Sequence, residues 1–193
     1  MPRKYEMAGR AAAKQHTREA ILDAVASMAD RWYDEVTLGD IARAAGVSQQ
    51  TVVNHFGSKL NLYHAAVQER FAPEAVTLRS TARPGDTASV VGAVMADYEV
   101  TGDRTWRFVS VAQRLEELRP ALADGRRAHR DYLESVLHPR LAPPGSARRE
   151  TQLTRVVVLL DVATWWQLRR AEGRSAEETT RHLVEMVDDV LRH

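Results

Sequence analysis

Apolar positions recur with helical spacing through almost the whole chain, and clusters of glycine, proline, serine or aspartate separate one stripe from the next. Ile21, Leu22, Val25, Met28, Ala29 and Trp32 form the first stripe, with Thr17 as its expected cap. Leu38, Ile41, Ala42 and Ala45 form a second, shorter one. Thr37 stands where a helix start needs an acceptor, and Asp40 three residues on gives a capping-box pattern. Gly46 is the residue able to take a left-handed backbone at that helix's end. Val47 then faces inward, Ser48 caps the next helix, and Val52 and Phe56 continue the buried face. Gln49, Gln50, Val53 and Asn54 are left pointing outward. Ser58 caps a further helix carrying Leu62, Tyr63, Ala66, Val67 and Phe71, and Pro73 is expected to end it.

The remaining residues also read as helices. Residues 80–86 form a loop, after which Val90, Val91, Val94, Met95 and Tyr98 share a face. Thr101-Gly102-Asp103 is expected to break that helix, with Trp106, Val109, Ala112 and Leu115 continuing beyond it. Another helix runs from about Pro120 to Leu137, and the proline-rich segment 139–146 ends it. Residues 147–171 contain no glycine or proline and are apolar at the centre, which predicts one long buried helix interrupted chemically by Asp161. Gly173 stops it, Ser175 with Glu178 makes a capping box, and Leu183, Val184, Val187, Val190 and Leu191 define the last amphipathic helix. The expected fold is therefore all-α. A basic arm over 1–16 precedes a three-helix helix-turn-helix domain over 17–72, and a larger helical domain over 73–193 follows.

The run TLGDIARAAGVSQQTVVNHF, Thr37 to Phe56, has the layout of a helix-turn-helix whose second helix offers Gln49, Gln50, Thr51, Asn54 and His55 on its polar side. Amide side chains of this kind can pair with the edge of adenine in a major groove. Taken singly, such residues are ordinary soluble surface. Inside a unit whose pattern, caps and turn agree, they point to double-stranded DNA as the partner.

Those residues, together with the following GSKLNLYHAAV, resemble the N-terminal DNA-binding domain of the TetR/AcrR family of bacterial transcriptional regulators. The resemblance implies that Thr37, Thr51, His55 and Lys59 engage phosphates, and that Ser48, Gln49, Gln50 and Asn54 lie over the bases. Val53 departs from the family, which usually carries a tyrosine there, and leaves only apolar contact at that position. GRRAHRDYLESV and DVATWWQLRRAEGRSAEET are similar to the regulatory domain of many members. This implies a homodimer formed through the helices near 147–171 and 175–192, and an unidentified small-molecule effector. A helix apolar nearly all round needs burial on more than one side, which agrees with pairing across a two-fold axis.

Composition narrows the remaining classes. The net charge of +1 gives no global nucleic-acid signature, but Arg3, Lys4, Arg10 and Lys14 oppose only Glu6 before Thr17. There is no cysteine, so disulfides, thiolate metal sites and cysteine catalysis are excluded. The first residues lack the apolar core of a signal peptide, and the apolar run Val156 to Trp166 is too short to span a bilayer. A soluble cytoplasmic protein without membrane partner is expected. Met95, Tyr98, Trp106, Phe108, Tyr132, Asp161 and Trp165 are candidates to line a ligand pocket, although each also suits ordinary core. His129 and His138 have no metal-ligand spacing, and no catalytic residue, metal site or cofactor is expected. The leading expectation is a homodimeric, ligand-released repressor on a palindromic operator. Alternatives are a DNA-binding regulator controlled by a protein partner and, more remotely, a helical enzyme. Nothing in the residues fixes repression over activation.

Overall fold

The computed structural model describes residues 2–193, with side chains from residue 9 onward. It is all helical among the described residues and divides into two compact units, Met1–Pro73 and Glu74–His193. The first unit holds α1 (Pro2–Ala26), α2 (Leu38–Ala44), α3 (Gln49–Phe56) and α4 (Lys59–Ala66). The second holds α6 (Thr87–Ala112), α7 (Arg119–Leu137), α8 (Ala147–Leu159), α9 (Val162–Trp166) and α10 (Ala176–Arg192). The division falls just inside α5 (Ala72–Arg79).

Local chemistry explains the first unit. Its core gathers Ile21, Leu22 and Val25 from α1, Ile41 and Ala42 from α2, Val52 from α3, and Leu62 and Ala66 from α4. Between α2 and α3 the Val47 N–H donates to the Ala42 carbonyl at 2.9 Å and the Gly46 N–H to Arg43 at 3.2 Å. With Gly46 at φ 67°, this pair of bonds is a Schellman closure that sets the angle at which α3 leaves the turn. Two expectations change here. Thr17 does not cap α1, because the helix already begins at Pro2; Ala11, Ala12, Ala13, Lys14 and Gln15 are strong helix formers that carry it through. The helix also ends at Ala26, so Trp32 lies outside it, and the neighbouring Tyr33 turns inward at 5% exposure.

Pro73 does not end the helix that starts at Ser58. The chain widens into a π turn over Val67–Phe71, with the Ala72 N–H reaching back to the Val67 carbonyl, and then resumes as α5. Proline lacks an N–H and clashes with the carbonyl four residues earlier in a regular helix. The π turn shifts that register, and Pro73 then occupies the first turn of α5, where no N–H is needed.

In the second unit α6 is the central element, contributing Val90, Val91, Val94, Met95 and Tyr98 to a core completed by Leu133, Leu137, Leu153, Val156, Trp165, Leu183 and Val187. The expected break at Thr101-Gly102-Asp103 is absent: α6 runs unbroken to Ala112, and Leu115 lies beyond its end. The long helix over 147–171 is instead divided. Leu160 ends α8 and Asp161, in extended conformation, caps α9 by accepting from the Ala163 N–H at 2.8 Å. The Thr164 hydroxyl covers the released Val158 carbonyl at 2.7 Å and the Tyr98 hydroxyl covers Leu160 at 3.2 Å. A second π turn, Gln167–Ala171, completes the segment, and the Ser175–Glu178 capping box opens α10.

Candidate nucleic-acid interface and buried core

Helix α3 is anchored on one side and open on the other. Val52 is buried and Phe56 packs against the core, whereas Gln49, Gln50 and Asn54 are exposed together. Ser48 caps the helix by accepting from the Thr51 N–H at 3.1 Å, and the two hydroxyls lie 2.8 Å apart. Gln50 donates to Asn54 at 3.0 Å along the same face. Thr51, Val53 and His55 are half-buried, and the His55 ring sits 6.2 Å from that of Phe56. The helix start carries the uncompensated N–H groups and partial positive charge that suit an anionic backbone.

The flanking site residues are held by two neighbours: Asp40, as the capping pattern predicts, and Tyr33, which the sequence pattern did not single out. Thr37 caps α2: its hydroxyl accepts from the Asp40 N–H at 3.1 Å, while Asp40 accepts from the Thr37 N–H at 3.0 Å and hydroxyl at 2.7 Å. The Thr37 hydroxyl, then the Thr37 N–H, then Arg43 hold the Asp40 carboxyl down at about 2. Lys59 donates to the Tyr33 carbonyl and sits 4.0 Å from the Tyr33 ring centroid. The cation is thereby parked at the start of α4, beside the Ser58 cap that accepts from the Asn61 N–H at 3.1 Å. Burial pushes the adjacent Tyr63 hydroxyl up to about 12, so it stays a neutral donor. Tyr33 was hidden in the sequence because Trp32-Tyr33 reads equally as the end of a helical stripe. Arg43, also outside the expected site, is strongly exposed on α2 at 79%. The side chains of Arg3, Lys4 and Glu6 lie outside the described residues; Arg10 and Lys14 are exposed on α1.

Ion pairs fix α1 against the π turn. Arg18 reaches Glu69 at 2.6 Å, and Arg70 reaches Asp23 at 2.7 Å and also Glu19. These pairs are partly exposed, so their contribution is geometric more than energetic.

Among the pocket candidates, Met95, Tyr98 and Trp165 belong to the buried core of the second unit, and Trp106 and Tyr132 pack against it. Trp106 stacks on Trp166 at 4.9 Å rather than on the other candidates, and Phe108 is half-buried on α6. Asp161, expected to interrupt one continuous helix, is instead the α9 cap described above. Sequence reasoning missed the polar group beside them. Arg79 donates to Asp97 at 2.6 Å and contacts His129 Nδ1 at 2.9 Å, and its own carbonyl accepts from the Tyr132 hydroxyl at 3.0 Å. Asp97 also accepts from Thr101 at 2.8 Å and is 2% exposed. Burial, and then the Arg79 guanidinium, push His129 down to about 3, so it is neutral. With Nδ1 facing a guanidinium, the proton belongs on Nε2, which is buried without a hydrogen bond of ordinary geometry. Burial also raises the Tyr98 hydroxyl. Among the described residues no group of His, Asp and Glu has metal-binding geometry, and no helix is long and apolar enough to cross a membrane.

Residues 21–66 match the profile of a family described as bacterial regulatory proteins, tetR family. Residues 21–66 are thus similar to the DNA-binding domain of the TetR family. The same region is similar to the HTH-type transcriptional regulator AlkX of Mycobacterium tuberculosis, 46% identical over 46 residues. That match covers 23% of this chain and only 22% of AlkX. Over the whole length the fold is similar to that of a transcriptional regulator from Rhodococcus, with a TM-score of 0.67 at 19% identity. The match covers 93% of this chain and 96% of that one. It is also similar to a structure described as a SmeT–triclosan complex, with a TM-score of 0.64, 18% identity and 89% of each chain covered. The AlkX protein and the Rhodococcus protein are both described as transcriptional regulators.

Proposed function

We propose that this TetR-type chain is a cytoplasmic homodimeric repressor that binds a palindromic operator and is released by a small-molecule ligand. The observation that carries the reading is the rigid presentation of Gln49, Gln50 and Asn54 on the open face of α3. Caps at Ser48 and the Schellman closure at Gly46 hold that face, so little conformational freedom is lost on docking. In this reading Ser48, Gln49, Gln50 and Asn54 lie over base edges. Thr37, Thr51, His55 and Lys59 meet phosphates and fix the register. Two copies joined through α8 and α10 present two such faces to successive major grooves. The neighbour described as a SmeT–triclosan complex supports a small-molecule effector for this fold. Such an effector weakens operator binding by the same coupling energy with which operator weakens effector binding.

A second reading, control by a protein partner, is favoured by the packing of the pocket candidates. Met95, Tyr98 and Trp165 are 3%, 5% and 0% exposed and fill one another's space. Selection of the purified protein on a random DNA pool at physiological salt tests the common element. Enrichment of an inverted repeat supports a dimeric reader, and release from that repeat by screened compounds separates the two modes of control. Weak, salt-sensitive binding without enrichment overturns both.

A further inference from the structure

Helices α8 and α10 lie antiparallel, since Gln152 near the start of α8 donates to the carbonyls of Val190 and Leu191 near the end of α10, at 3.4 and 3.3 Å. Between them runs an open groove whose lining is mostly apolar and includes Val158, Leu159, Met186 and Val190. Val158 is 62% exposed and Met186 46%, two of the five large hydrophobic side chains most open to solvent among the described residues. Each has a charge one turn away on the same groove: Arg155 three residues before Val158, and Asp189 three residues after Met186. The antiparallel arrangement therefore sets Arg155 and Asp189 at the same level, on opposite walls. Arg155 is exposed and has no acidic partner among the described residues of its own chain. Among the described residues Asp189 pairs only with Arg192 three residues on, both more than half exposed, which holds it weakly.

Resting on the homodimer reading above, we infer that this groove takes a second copy of the chain in one register, set by two reciprocal ion pairs between Arg155 of one protomer and Asp189 of the other. A two-fold axis running along the groove preserves the level of every residue and exchanges the two walls. Helix α8 of one copy then faces α10 of its partner, and each positive wall meets a negative one. The groove is self-complementary in charge as well as apolar, so a second copy fits it better than a partner bearing one sign of charge. Val158 and Met186 supply the apolar burial. The paired charges exclude shifted registers and related chains that lack them, because like charges brought together there cost several-fold in affinity.

Charge exchange tests this. Arg155→Asp gives a protomer with two negative walls, and Asp189→Arg one with two positive walls. Each is expected to dissociate in sedimentation equilibrium at concentrations where the unaltered protein is dimeric, with Kd raised about tenfold or more. An equimolar mixture of the two is expected to recover dimer, as a heterodimer with both pairs restored. Unchanged circular dichroism melts check that each variant folds. A dimeric unaltered protein whose single variants stay equally dimeric overturns the ion pairs while leaving the dimer intact. Single variants that dissociate but do not recover on mixing overturn the reciprocal register. A monomeric unaltered protein overturns the homodimer itself, and the pairs with it.

Discussion

Gly102 and Trp165 occupy one another's space so closely that a Cβ built on Gly102 lies 2.4 Å from Trp165 Cζ3. The glycine in the middle of α6 is thus a seat for the indole, whose Nε1 donates to Glu99 on the same helix at 2.9 Å. Trp165 is fully buried and cannot swing outward without opening the core. In an ordinary helix Gly→Ala is favourable by about 1 kcal/mol. Here overpacking opposes that gain, and Gly102→Ala is expected to lower stability by about 1–3 kcal/mol in urea denaturation. Gly125→Ala on α7, where an added Cβ meets nothing within 4 Å, is the control and is expected to stabilise. Equal behaviour of the two variants would contradict the seat.

The contrast between these two glycines shows what the sequence made legible. Features set by residues within a turn of each other were readable: the Thr37–Asp40 and Ser175–Glu178 capping boxes, the Ser48 and Ser58 caps, and the left-handed Gly46. Features set by partners far along the chain were not. Gly102 reads as a breaker until Trp165 is placed beside it. Asp161 reads as a buried charge in a helix, because the break it caps depends on Tyr98 and Thr164 serving the carbonyls that the break releases. His129, weighed only as a metal ligand, becomes meaningful once Arg79 arrives from 50 residues away.

On the reading helix, Gln49→Ala is expected to leave the fold intact, since the side chain is exposed and α3 is anchored through Val52. Its effect should be on discrimination, with loss of about 1–3 kcal/mol between selected operator and scrambled DNA. Lys59→Ala is expected to weaken both DNAs alike, because a phosphate contact carries no sequence information. Competition binding at fixed salt separates the two outcomes. Full retention of operator preference by Gln49→Ala would sink its assignment to a base edge.

The Arg79–Asp97 pair lies in the core of the second unit, with side-chain exposures of 17% and 3%. Removing Asp97 alone leaves a guanidinium with a neutral imidazole and two aromatic rings, and no counter-charge bonded to it. Asp97→Ala is therefore expected to destabilise by about 3–5 kcal/mol, whereas replacing both members with Arg79→Met and Asp97→Leu should cost much less. Urea denaturation of the full chain reads this directly. If the single variant were as stable as the double one, the pair would not be functioning as a desolvated unit.

His129 makes the stability of the protein depend on pH in a stated direction. Its folded value of about 3 lies below the ordinary histidine value of 6.5, through burial first and Arg79 second. A depressed base takes up its proton in the unfolded chain before it does so in the folded one. The cost is absent above about pH 6.5 and grows as pH falls toward 3, at close to 1.4 kcal/mol per pH unit, or about 2 kcal/mol between pH 7 and 5. His129→Gln removes that proton uptake and should flatten the curve over this interval. The variant will also change the contact with Arg79, so the informative quantity is the slope of stability against pH and not its value at pH 7. Parallel slopes for the two proteins between pH 7 and 5 would mean that His129 is protonated in the folded state, and that the neutral, Nε2-protonated ring beside Arg79 is wrong.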